Sequence, residues 1–346
     1  MYKCAIIGVG GSRAQGHAEA YRHITRGKLV AISTRRPDKL EEFGTVFDIG
    51  ARYTDYREML DKERPDLVHV NTPPNVRLEV FQAAEAAGVA ALIVEKPLAI
   101  QGEDYREIVQ FARTAKIKIA INHQLHFHPR RLFLQQAVED GQIGEIRFID
   151  ATCGMNLAYQ GTHTLQAISA FNPEGVPNAV LGQVAGAVGL EDLPRQHLAP
   201  DQCTATIDFD NGIRAQMCCG PNAPQVGDGP IYTHKRIAIY GSEGLAYWTM
   251  HGWELHAKGH TESGSYVYHE EDVLAQAAMS EAMFDWLVHE QAEHPLNLES
   301  SLIDFNVILG LYTSALLHEQ VALPMAPAVD LIKLLRWQLG GMEAEE

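Results

Sequence analysis

"CAIIGVGGSRAQGH", Cys4 to His17, decides how the rest of the chain is read. A short apolar run of the kind a parallel sheet covers on both faces ends at two spaced glycines, and polar helix-forming residues follow. Gly8 and Gly10 stand at the first two positions of a dinucleotide fingerprint, where the lack of a side chain lets backbone N–H groups approach a pyrophosphate. The third glycine is missing. Arg13 occupies its place and Gly16 comes three residues later, which suits a turn one residue longer than usual, with Ser12 and Arg13 reaching a phosphate. Without a ligand, the same residues would make a tight turn and nothing more.

The same alternation continues outward from this turn. "KLVAIS", "DLVHVN", "AALIV" and "KIKIAI" read as strands, and "PDKLEEFGTVF", "DYREMLDKE", "VRLEVFQAAEAAG" and "GEDYREIVQFARTA" as helices between them. This predicts an α/β class, with a Rossmann doubly wound parallel sheet over residues 1–122. After Asn122 the pattern changes. A helix near "RRLFLQQAVEDG" and strands at "GEIRFIDATC", "QCTATIDFD", "GIRAQMCCG", "KRIAIYGS" and "GLAYWTM" predict an α+β domain over residues 123–346, with a predominantly antiparallel open sheet. "FDNGI" and "YGSEGL" read as its hairpins, and "WELHAKGH" with "YVYHEED" as an edge hairpin blunted by charge. Two helical stretches, "VLAQAAMSEAMFDWLVHEQAE" and "LESSLIDFNVILGLYTSALLHEQ", are expected to pack back on one of the domains.

Composition narrows the choice of partner. The 346 residues are 46% hydrophobic and 21% charged, as in an ordinary globular protein, and the formal net charge is -16. That charge repels nucleic-acid phosphates and anionic lipid, and no basic patch offsets it, so small molecules are the expected partners. Five cysteines without a Cys-x-x-Cys pair suit reduced thiols in a cytoplasm. The apolar run at the N-terminus is too short for a signal peptide, and no later segment offers about 18 uninterrupted apolar residues for a membrane helix.

Three strand ends carry the chemistry. At the second, "AISTRRPDKL" lacks the acid that binds a ribose 2′-hydroxyl, and Ser33, Thr34, Arg35 and Arg36 suit the 2′-phosphate of NADP better than NAD. At the fourth, "NTPPNVR" places Thr72, Pro73 and Pro74 where a rigid backbone could underlie a nicotinamide, although alone it would read as a helix-initiating turn. The fifth ends in "VEKPL". Ligands of open α/β sheets bind outside these carboxyl ends, so Glu95 and Lys96 are expected to line one cleft with the glycine turn. An ammonium there can hydrogen-bond a substrate hydroxyl and ease alkoxide formation as hydride leaves. The bland alternative is a Lys96–Glu95 pair at a strand end.

"GVGGS", "NTPPN" and "EKPL", in this order and at these strand ends, resemble the glucose–fructose oxidoreductase, inositol dehydrogenase and MocA family. "GQIGEIRFI", "DFDNG", "IYGSEGL" and "SALLHEQVALP" extend the resemblance over nearly the whole chain. It implies a catalytic Lys96 between nicotinamide and substrate, and a second catalytic element in "NLAYQGTHTLQAI", where His163 is in register. The family's aspartates four residues before and three after that histidine are replaced here by Tyr159 and Gln166. If the segment is helical, Tyr159 and His163 share a face, His163 as proton acceptor and Tyr159 as hydrogen-bond donor or acid. "NHQLHFHP" would cross the mouth of the site, with Gln124 and His126 touching substrate. The spacing of His123, His126 and His128 does not suit one metal, and none is expected.

These expectations add up to an oxidoreductase that moves hydride between NADP or NAD and a secondary alcohol or ketone of a sugar, inositol or similar polyol. A homodimer or homotetramer is implied by the resemblance. Two alternatives stay open: a glycosidase- or epimerase-like member that recycles bound dinucleotide internally, and a sensor that binds dinucleotide without turnover.

Overall fold

The computed structural model describes residues 1–191 and 197–340. They divide into two compact units: Met1–Leu98 with Glu107–Phe127 and His269–Ser301, and Ala99–Arg106 with His128–Tyr268 and the chain from Leu302 onward.

The first unit is built on six parallel strands: β1 (Tyr2–Ile7), β2 (Gly27–Ser33), β3 (Ala51–Tyr53), β4 (Leu67–Val70), β5 (Ala91–Glu95) and β6 (Lys118–Asn122), in the order β3-β2-β1-β4-β5-β6. Helices α1 (Ser12–Ala20), α2 (Pro37–Val46), α3 (Tyr56–Glu63), α4 (Arg77–Ala86) and α5 (Gly102–Ala112) connect them. The strand order reverses between β1 and β4, and such a switch point opens a crevice at the carboxyl ends. β4 and β5 are buried throughout, which explains their near-continuous apolar runs. On one face Ile6 and Ile32 pack with Ala14, Ala18, Leu40 and Phe43. On the other, Cys4, Leu67 and Ile93 pack with Met279, Met283 and Phe284 of α8 (Tyr268–Val288). Arg26 fastens α8 by ion pairs to Glu281 and Asp285.

The second unit carries a nine-stranded sheet. Its strands are β7 (Ile146–Cys153), β8 (Pro177–Ala185), β9 (Gln202–Phe209), β10 (Arg214–Cys219), β11 (Lys235–Gly241), β12 (Leu245–Thr249), β13 (Gly252–Ala257), β14 (His260–Ser265) and β15 (Val321–Ala322). They lie in the order β14-β13-β12-β11-β7-β10-β9-β8-β15, antiparallel except for β7 beside β10. Helices α6 (Pro129–Glu139), α7 (Thr162–Phe171), α9 (Leu298–Leu317) and α10 (Leu331–Gly340) complete the chain. The Asn211-Gly212 turn closes the β9–β10 hairpin as expected, with Gly212 at φ +82.

Two expectations need correction. The edge hairpin is β13–β14, and "YVYHEED" mostly opens α8: acidic Glu270 and Glu271 in its first turn suit the helix dipole better than a strand. α9 is also apolar and long enough to span a membrane, with a mean hydropathy of 1.4 over its most apolar window. It is packed as a core helix, because 61% of that window is buried, Asp304 accepts from Ser169 Oγ at 2.7 Å, and Asn306 exchanges two hydrogen bonds with the Met325 backbone.

Candidate active site

In the first unit the glycine turn sits at the switch point. Gly8 has φ +94, and its N–H donates to the Ser33 carbonyl at 2.7 Å. A Cβ on Gly8 would lie 2.8 Å from the Asn71 carbonyl oxygen at the end of β4, so only glycine fits this approach. A Cβ on Gly10 would overlap the Arg36 guanidinium, whereas one on Gly11 would meet nothing within 4 Å. That open space before the N-terminus of α1, with Ser12 and Arg13 in its first turn, fits a pyrophosphate. Arg13 also lies 3.7 Å from Asp272.

The two arginines after β2 separate in role. Arg36 donates to the Gly10 carbonyl at 2.8 Å and so braces the glycine turn, while Arg35 is exposed. Ser33 is buried at the strand end and Thr34 is half-buried. No acid follows β2 before Asp38, in the first turn of α2.

Lys96 follows β5 directly and is half-buried, and the Lys96–Pro97 peptide is cis. A residue that the sequence reading missed, Arg77, holds the turn around it. Fully buried at the start of α4, Arg77 donates to the carbonyls of Glu95 and Pro97, on both sides of Lys96, and twice to Thr72, at 3.1 and 2.9 Å. One guanidinium fork therefore ties the Thr72-Pro73-Pro74 turn to the Glu95-Lys96-Pro97 turn. Burial brings its pKa down to about 10, the Glu95 charge opposing.

The Glu95 side chain points into a buried polar cage. His17 Nε2 lies 3.1 Å from its Oε1, and Asn122 Nδ2 donates to the same oxygen and to Gln276 Oε1 at 3.1 Å. Burial pushes this carboxyl up, but the His17 hydrogen bond and the charges of Arg13, His17 and Lys96 hold it at about 2. Beyond His17 lies His69, with rings 4.5 Å apart, and His69 Nε2 meets the Tyr21 hydroxyl at 2.8 Å.

Burial, with His17 beside it, holds His69 well below its usual 6.5. Below about pH 6.5 the unfolded chain takes up a proton there that the folded chain refuses, so the folded state loses up to about 1.4 kcal/mol per pH unit. Comparing urea unfolding of wild type and His69→Gln at pH 7.5 and 5.5, we expect the wild type's advantage to shrink by about 1 kcal/mol at the lower pH. His294, also depressed, is present in both proteins and cancels from the comparison. A gap that stays constant or widens would show that His69 titrates normally.

Gln124 is buried and donates to Asp272 at 3.0 Å, and His126 is half-buried with its ring edge-on to Phe127. Among the described residues no group of three His, Cys, Asp or Glu is placed to hold a metal.

In the second unit the histidine segment departs from a plain helix. Residues 157–161 form a π-helical turn, capped by Asn156 Oδ1 accepting from the Tyr159 N–H at 3.0 Å, before α7 begins at Thr162. Tyr159 thus lies inside the π-helical turn and His163 one residue into α7. Tyr159 stacks on His197 at 4.4 Å, and His163 is buried on α7. Gln160 donates to the Tyr232 carbonyl at 2.7 Å. Gln166 accepts from Arg131 Nη2 at 3.4 Å.

Residues 2–123 match the family model described as "Oxidoreductase family, NAD-binding Rossmann fold". That match assigns an NAD-binding Rossmann domain of this oxidoreductase family to residues 2–123. Among curated relatives, it is 30% identical over 143 residues to D-apiose dehydrogenase of Paraburkholderia graminis and 32% identical over 120 residues to 1,5-anhydro-D-fructose reductase of Ensifer adhaerens. These matches cover 41% and 35% of the chain, and span only 38% and 36% of those relatives. In fold the chain matches an Agrobacterium radiobacter oxidoreductase solved with NAD+, L-tartaric acid and magnesium, with a TM-score of 0.79 and 18% identity over 93% of this chain and 98% of that one. The chain thus has an NAD-binding domain whose glycine turn and Arg77-braced lysine turn lie at the carboxyl ends of one sheet.

Proposed function

We propose that the protein is an NAD(P)-dependent oxidoreductase that transfers hydride between nicotinamide and a secondary alcohol or ketone of a sugar or polyol-like molecule. The observation that carries this reading is the pairing, by Arg77, of the turn proposed to seat nicotinamide with the turn that bears Lys96. Gly8, Gly10, Ser12 and Arg13 would hold the pyrophosphate, and Thr72, Pro73 and Pro74 the nicotinamide side, while the cofactor itself supplies the hydride acceptor. Lys96 would hydrogen-bond the reacting oxygen, and His163 would serve as the proton acceptor. Tyr159, its ring stacked on His197, would contact the substrate as a hydrogen-bond donor or acid. Gln124 and His126 complete the proposed substrate contacts.

Relatives named as a dehydrogenase and a reductase of sugars favour net turnover over internal recycling or sensing. A cytoplasmic site of action suits the five free cysteines, and a homodimer or homotetramer would cover the exposed Leu181 and Tyr240 of the second sheet. The test is nicotinamide absorbance against sugars, inositols, polyols and their acids, with NAD and NADP offered separately. Protein that binds cofactor but turns over nothing would refute the reading.

The finer expectation is a preference for NADP, since exposed Arg35 can meet a 2′-phosphate and no acid ends β2. Arg35→Ala should raise the Kd for NADP about tenfold and leave that for NAD within about twofold. Equal affinity for both cofactors, unchanged in the variant, would remove the phosphate clamp.

A further inference from the structure

The polar cage beside Lys96 is more elaborate than a strand end needs. Glu95 closes β5 with its side chain 9% exposed, and the His17 side chain that meets it is fully buried. His17 stands on α1, Asn122 ends β6 and Gln276 lies on α8, so three elements of the first unit converge on one carboxylate. His17 Nε2 faces an anionic acceptor at 3.1 Å and therefore carries a proton toward it. The Asn122 amide is aimed at the same oxygen by its second bond, to Gln276. Arg77 grips the main-chain carbonyl of the same residue. Glu95 is thus held at both ends, and Lys96 is the next residue.

A carboxylate taken out of water ordinarily binds a proton, because nothing solvates its charge. Here burial raises the carboxyl, but the His17 hydrogen bond and the charges of Arg13, His17 and Lys96 hold it at about 2, so it stays ionised at neutral pH. The ionisable groups whose charge bears on it are Arg13 and His17 on α1, His69 on β4, Arg77 on α4, and Lys96. All are basic, and an anion fixed among them favours the charged form of each. Lys96 is the one that would donate to the reacting oxygen.

We infer that His17 is a positioning residue for the reaction: with Asn122 it fixes the Glu95 carboxylate as a permanent negative neighbour, which keeps Lys96 a charged hydrogen-bond donor. This deepens the dehydrogenase reading and rests on it. An ammonium beside an anion gives up its proton only at higher pH, so the cage extends activity on the alkaline side. Without the His17 donor burial prevails, Glu95 takes up a proton, and Lys96 becomes neutral at a lower pH.

The test follows two readouts in the full chain from about pH 6 to about pH 10, the span in which a lysine ammonium begins to titrate. One is kcat at saturating cofactor with any sugar, inositol or polyol that turns over. The other is acetylation of Lys96 by trace acetic anhydride, scored by peptide mass spectrometry, which reads the same ammonium without turnover. His17→Leu and, independently, Glu95→Gln should move the alkaline fall of kcat and the onset of Lys96 acetylation together, by about one pH unit or more toward acid. His17→Gln offers an amide N–H near the Nε2 position and should restore most of the shift. Glu95→Gln is nearly isosteric and decides the matter if His17→Leu fails to fold. Curves that stay in place, including an equal loss of kcat at every pH, overturn the inference and leave the dehydrogenase standing. Acetylation that shifts in protein that turns over nothing keeps the control of Lys96 by Glu95 and sinks the dehydrogenase reading.

Discussion

Replacing Lys96 with methionine should lower kcat by about a thousandfold and leave NAD binding within about twofold, since loss of a positioned acid–base group typically costs 10²–10⁴. Methionine keeps the length and apolar stem of lysine but has neither charge nor hydrogen-bond donor. As hydride leaves, negative charge builds on the substrate oxygen, and an ammonium in a partly desolvated site stabilises it far more than water would. The ground state carries little of that charge, so the loss should fall on kcat and leave KM nearly unchanged. Nicotinamide fluorescence on binding and single-turnover absorbance separate the two steps. A variant that retained more than a tenth of the wild-type rate would leave Lys96 as a strand-end ion pair to Glu95.

The parallel sheet was legible because its strands are buried on both faces and bounded by turn residues, and "EKPL" stood out because two charges and a proline interrupt such a run. β3 is three half-buried residues with no alternation to detect, and β8 opens on a proline and contains Gly182, both unlike a strand interior. The π-helical turn escaped because residues 156–168 count equally well as α-helix. Gly161, whose added Cβ would strike the Leu157 side chain, was its only local sign. Arg77 escaped for a different reason. Charged residues in the first turn of a helix are usually solvated, and its acceptors come from the Thr72 turn and from residues 95 and 97 across the sheet.

Those acceptors make Arg77 a positioning residue for Lys96, and the second large effect follows from it. Arg77→Met should reduce kcat by about a hundredfold, the scale on which roughly 1 Å of misplacement costs rate. Stability should change less, because freeing carbonyls of hydrogen bonds at about 1–3 kcal/mol each is offset by removing a buried charge. Arg77→Lys keeps a donor but not the fork, so it should restore only part of the rate. The decisive readout is a double-mutant cycle. If Arg77 acts through the lysine, adding Arg77→Met to Lys96→Met should lower the residual rate by less than about threefold, a strong departure from additivity. Losses that multiply would mean that Arg77 supports the unit generally. Cofactor affinity that fell in parallel would place its role at the Thr72 turn instead, because the same guanidinium grips both and only their separate responses tell which grip the reaction uses.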